Sequence, residues 1–194
     1  MPKELVCKEQ CATRLRIFTW VFGAVWLIDA IFKWLPGFML QFEGYVTGAM
    51  KGQPNIIMPW FMFWVKFVSI DPLLLAVLIA ILETLIALSL LLGFARKPMY
   101  IIGAITSIGI WTVAEGFGGP YGSGATDIGA TVMYAFVFAG LWGLEQLSSP
   151  YCRWTLDQVI AKKWPAWKKI GVWTPAAPKT ETTVHTEMPS HTAV

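Results

Sequence analysis

Five ionisable side chains stand inside or at the ends of long apolar runs: Asp29, Lys33, Glu83, Glu115 and Asp127. Asp29 and Lys33 are one helical turn apart, the separation at which opposite charges pair, and Trp26 falls on the same face. Glu83 is the lone charge in a run from 72 to 92, on a stripe with Ala76, Ala80 and Ala87. A charge turned towards lipid costs about 2.5–3.5 kcal/mol at a helix centre, so these faces must look into a bundle or a wet cavity. Ionisable groups at that depth exchange protons and hydrogen-bond a carbonyl, which suits a quinone headgroup, a proton or a small anion. Glu115 and Asp127 bracket a glycine-rich stretch, WTVAEGFGGPYGSGATDIG, as the facing ends of two helices, and form one rim of such a site. Ser107, Trp111 and Glu115 recur at successive turns of one run, as do Asp127, Thr131 and Tyr134 in the next. Trp26, Ser107, Trp111 and Tyr134 are the candidate headgroup contacts. The same residues also admit an architectural reading. Asp29 and Lys33 then neutralise each other, Asp127 caps a helix, Glu115 is solvated and Glu83 packs as a neutral acid.

The elements that must position them follow from composition. The chain has 194 residues, 56% hydrophobic and only 14% charged, with 11 Trp, more apolar surface than a soluble core of this size buries. The predicted fold is an all-α integral membrane bundle of four transmembrane helices, at about 17–35, 72–92, 99–115 and 127–147. Pro36 and Gly37 stop the first, Asp71 and Pro72 start the second, Gly93 ends it, and Arg96, Lys97 and Pro98 form a short turn. The 37–70 connection is broken in its first half by Gly44, Gly48, Gly52 and Pro54. Its second half, IIMPWFMFWVKFV, falls short of the about 20 residues a crossing needs, and is predicted as an interfacial or re-entrant helix. It serves as a lid on the outer mouth or as a lipid anchor. Basic residues leave only Lys33, Lys51 and Lys66 on the outer side, which places both termini in the cytoplasm. The first apolar run reads as a retained span, not a cleaved signal.

Residues 150–173 are basic and Trp-rich, and are expected to lie on the inner leaflet or to dock on a partner subunit. Residues 174–194 are a Pro/Thr-rich tail unable to fold alone. Cys7, Cys11 and Cys152 fall on the cytoplasmic side, where thiols stay reduced. Cys7 and Cys11 share a helix face but lack two further soft ligands, and His185 and His191 lie in the polar tail, so no metal site is expected. The spans contain no His or Cys, and no phosphate-loop or dinucleotide motif precedes a helix, so neither haem, flavin nor metal is signalled. No basic stripe on a soluble fold points to nucleic acid.

ILETLIALSLLLGFARK followed by IWTVAEGFGGPYGSGATDIGATVMYAFVF resembles the DoxD branch of the DoxX-like membrane family, over about residues 14–147. Glu83, Glu115, Gly118, Gly119 and Asp127 match the family's pattern; Asp29 and Lys33 come from the physical reading alone. The resemblance implies a four-helix subunit of a thiosulfate:quinone oxidoreductase in a bacterial or archaeal cytoplasmic membrane. There it passes electrons from thiosulfate to a quinone, a substrate and not a tightly held cofactor, with a second, DoxA-like subunit. The expectation is a quinone-interacting subunit with Glu83 or Asp29 as proton carrier. The alternative is a non-catalytic accessory subunit of a larger respiratory or photosynthetic complex. A transporter is disfavoured because no inverted repeat or broken midplane helix is visible.

Overall fold

A computed structural model describes residues 3–121, 127–148 and 154–171, with the side chains of 3–9, 147 and 148 left aside. Every regular element among the described residues is helical: α1 Lys3–Lys33, α2 Pro36–Ala49, α3 Met58–Val68, α4 Pro72–Leu92, α5 Arg96–Val113, α6 Thr131–Ser148, α7 Leu156–Lys163 and α8 Lys168–Gly171. Short 3₁₀ turns follow α5 and α7. The stretch Gln10–Lys33 and the helix Pro72–Leu92 are long and apolar enough to cross a bilayer.

Local chemistry explains most boundaries. Leu35 is pushed into extended backbone (φ −75°, ψ 146°) by the proline that follows it, so α1 ends at Lys33 and not at the predicted 35. Pro36 then opens α2, where its missing N–H costs nothing. Asp71 caps α4 by accepting from the Leu74 amide at 3.0 Å. Gly93, left-handed at φ 68°, closes it with amides returning to the Ser89 carbonyl.

Three further expectations fail. Gly44 and Gly48 do not break the 37–70 connection, because α2 runs through both. Each interior glycine costs about 1 kcal/mol, and the packing of α2 on α3 and α4 offsets it. The break falls at Gly52, φ 74°. Arg96 and Lys97 are not a turn but the start of α5, since Pro98 is tolerated in a first turn. α6 begins at Thr131 and not at 127.

The helices α1, α4, α5 and α6 close a ring of neighbours, α1 touching α4 and α6, and α5 touching the same two. Phe22, Trp26, Ile86, Leu90, Tyr100, Phe138 and Leu141 meet at its centre. Close approach depends on small residues. A Cβ on Gly23 would lie 2.9 Å from that of Leu90, and one on Gly103 would collide with the Phe138 ring. Ala76, Ala80 and Ala87 turn inward on the same stripe as Glu83. Outward faces carry Ile17, Val21, Ile28, Leu78, Ile105 and Phe136, all exposed.

Candidate functional site

The predicted site residues fall into two groups, held by different helices. The first lies on the seam of α1 and α4. These helices run antiparallel with Gly23 facing Leu90, so one helical turn at a time Trp26 comes level with Ala87, and Ala30 with Glu83. Ala30 and the α4 alanines are small enough to leave Glu83 room between the helices.

Lys33 reaches back from the end of α1 to place Nζ 2.9 Å from Asp29 Oδ2 and 3.4 Å from Glu83 Oε2. It therefore does not stay at the level of its own backbone, as depth along the helix predicts. Glu83 is fully buried, and neither of its carboxylate oxygens has a hydrogen-bond partner, because the Lys33 approach is an ion pair without hydrogen-bond alignment. Asp29 is 42% exposed and opens the group to its surroundings. The Lys33 ammonium also sits 5.3 Å from the centre of the Phe38 ring, and Trp34 Nε1 donates to Thr84 Oγ1 at 3.0 Å beside Glu83.

Trp26 joins this group from one turn away. Its ring packs at 5.1 Å on Phe138, 5.5 Å on Tyr134 and 5.9 Å on Phe22, while its buried Nε1 has no partner. Such orphaned buried polar groups cost about 1–3 kcal/mol each. Glu83 and Trp26 thus put an acceptor and a donor without hydrogen-bond partners on one seam, with the Lys33 ammonium shared between Glu83 and Asp29.

The second group is the corner between α5 and α6. α5 stops at Val113, so Glu115 lies beyond the helix that was expected to end on it. Its Oε2 accepts from the Thr131 amide at 3.2 Å and so caps α6, the role predicted for Asp127. Asp127 sits before the helix and accepts from the Gly129 amide at 2.7 Å, closing an Asx turn instead. Trp111 Nε1 donates to the Ile128 carbonyl at 2.6 Å, and Ser107 Oγ to the Gly103 carbonyl at 2.8 Å. Gln53 ties the corner to α2 through the Gly116 and Ala49 carbonyls at 2.9 and 3.1 Å, and Trp60 ties it to α3 through the Thr112 carbonyl at 3.2 Å. Phe117, left-handed at φ 60°, packs between Trp111 and Phe61.

Structure therefore brings Trp26, Tyr134, Asp29, Lys33 and Glu83 to one region, whereas Glu115, Asp127 and Trp111 hydrogen-bond within the α5–α6 corner and Ser107 bonds back along α5. Gly118 shows how tight that corner is. Its φ is 77°, and a Cβ there would collide with the Ile128 carbonyl. Gly118→Ala is expected to cost about 2–3 kcal/mol, from left-handed strain plus overpacking. Gly109→Ala meets nothing within 4 Å and should be neutral or slightly stabilising. Thermal unfolding in detergent compares them, and equal midpoints would contradict the assignment.

A third polar group was not anticipated from sequence. Arg96 is fully buried, with Nε 3.1 Å from Asp157 Oδ2 and Nη1 on Glu145 Oε2. Asp157 also accepts from the Ala95 amide at 2.7 Å, the Arg96 amide at 3.2 Å and Trp167 Nε1 at 2.9 Å. It caps α5 in trans, at an N-terminus with no side-chain cap of its own. Arg16 closes the neighbouring end of α4 by donating to the Leu90 and Leu91 carbonyls at 2.9 and 2.7 Å, and to the Trp154 carbonyl at 3.1 Å. Residues 154–171 are thereby fastened to their own bundle. Of the cysteines, Cys11 is exposed and free. Cys152, His185, His191 and the 174–194 tail lie outside the described residues, as does the side chain of Cys7. Comparison with protein-family models, with curated proteins and with solved structures finds no match to this chain.

Proposed function

We propose that the chain is a four-span membrane subunit, with α1, α4, α5 and α6 crossing the bilayer and both termini in the cytoplasm, that binds a quinone headgroup at the Asp29–Lys33–Glu83 seam. The observation that carries the reading is Glu83, fully buried and without a hydrogen-bond partner beside an ammonium shared with Asp29. A quinone carbonyl needs a donor, which Lys33 Nζ and Trp26 Nε1 supply. Its reduction takes up two electrons and two protons, and Glu83 and Asp29 are placed to pass the protons. Asp29, the more exposed acid, exchanges them with the surroundings, and Glu83 delivers them inside. The outward apolar faces of α1, α4, α5 and α6 support the bilayer placement, and the exposed Lys162, Lys163, Lys168 and Lys169, fastened at the α5 N-terminal end, support the orientation.

The likeness to the DoxD branch supports thiosulfate as electron donor and a DoxA-like protein as the partner that oxidises it. The test is thiosulfate-dependent quinone reduction by membranes containing this chain and such a partner. A rate no higher than in membranes lacking the chain would end the proposal. A second reading, a non-catalytic accessory subunit, is favoured by Trp154 and Trp164, which stay 68% and 71% exposed on a segment otherwise locked to the bundle. It predicts that larger membrane complexes co-purify with the full chain after gentle extraction.

A further inference from the structure

The segment from Trp154 to Gly171 joins two groups of residues of opposite character. Its inner face is a buried lock: Asp157 on Arg96, the Asp157 amide on the Gly93 carbonyl at 3.0 Å, and Trp167 stacked on Phe94 at 5.2 Å. Gly171 fits against Asp157 so closely that a Cβ would collide with its carboxylate. The segment also carries Lys162, Lys163, Lys168 and Lys169, all exposed, on either side of the exposed Trp164 along the chain. Lys97 donates to the Lys168 and Lys169 carbonyls at 3.5 and 3.2 Å and so braces α8 against α5.

Charge balance on this end is one-sided. Among the residues whose side chains are described, its carboxylates are Glu145 and Asp157, and both are buried against Arg96. Nothing acidic in the described surface therefore offsets the four lysines. Trp164, Val159 and Ile170, all exposed, supply apolar surface on the same segment. Cations around an aromatic anchor, fixed at one end of an apolar bundle, match the headgroup layer of an anionic bilayer leaflet.

We propose that α7, the turn after it and α8 form a binding platform for anionic phospholipid, selective because the Asp157–Arg96 lock holds the lysines in one array. Acidic lipid phosphates settle among Lys162, Lys163, Lys168 and Lys169, with Trp164 at headgroup depth. The platform is separate from the Asp29–Lys33–Glu83 seam and independent of any redox role.

The test uses the full chain reconstituted in nanodiscs of phosphatidylcholine with an equal share of phosphatidylglycerol, then extracted gently and weighed by native mass spectrometry. Wild type is expected to retain phosphatidylglycerol several-fold over phosphatidylcholine, with the preference falling in high salt. The variant K162Q/K163Q/K168Q/K169Q, altered only at exposed positions, should lose the preference, while K51Q/K66Q should keep it. Retention in proportion to supply, or a preference unchanged in the fourfold variant, overturns the proposal. So does tight binding of a protein partner to the lysines with no lipid preference.

Discussion

Replacing Arg96 with Met is expected to destabilise the protein by about 3–5 kcal/mol, the cost of leaving buried charges without their partner. Arg96 is the hub of a group in which Glu145 and Asp157 are as buried as the guanidinium itself. Methionine fills similar volume, so lost packing is a minor part, and what remains is two carboxylates in a dry site. Tyr100 Oη, 3.3 Å from Glu145 Oε1, is too weak a donor to substitute. The loss should also loosen α7 and α8, because the guanidinium pairs with Asp157 at 3.1 Å and donates to the Gly171 carbonyl at 3.3 Å, leaving only backbone amides and Trp167 on Asp157. Thermal unfolding in detergent measures the first effect, and limited proteolysis after Trp154 the second. Combining Arg96→Met with Glu145→Gln and Asp157→Asn should recover part of the midpoint, since neutral amides do not need the counter-charge. A single variant as stable and protease-resistant as wild type would mean the cluster is not what holds the segment.

That cluster marks the limit of what local pattern reveals. α4 lies where its signals put it, because Asp71, Pro72 and Gly93 each act through their own backbone or the next turn. The Asp29–Lys33 pair is legible for the same reason, being one turn of one helix. Glu83 is recognisable as a buried acid from its alanine stripe, yet its pairing with Lys33 depends on a lysine stem bending back across a helix crossing. The corner was misassigned by one partner: an acid at position 127 before an apolar run looks like a cap, but the loop geometry turns it onto Gly129 and leaves the Thr131 amide to Glu115. From sequence Arg96 reads as part of a short turn, because basic residues beside a helix-ending glycine and a proline normally lie in one. Only Asp157, a lone acid in a basic amphipathic stretch, signalled that something buried had to meet it.

On the proposed quinone role, Glu83→Gln is expected to leave folding intact and to slow quinone reduction by about 10²–10⁴-fold, the contribution of a positioned proton carrier. Glutamine has the same shape, and at a buried position without hydrogen bonds it removes a charge that is costly to keep there, so the midpoint should hold or rise. Lys33→Met makes the opposite structural demand. It strips the ammonium from a fully buried acid and should cost about 3 kcal/mol. The double variant Lys33→Met, Glu83→Gln separates architecture from chemistry: stability returns towards wild type because no unpaired charge remains, whereas activity stays lost. Asp29→Asn should slow the reaction less than Glu83→Gln, since an acid 42% exposed can be bypassed by water at the mouth of the seam. If Glu83→Gln reduces quinone at the wild-type rate, the triad serves only to seal α1 against α4. The orphaned Trp26 Nε1 and Glu83 oxygens are then the cost of that seal, and the headgroup site has to be sought elsewhere on the bundle.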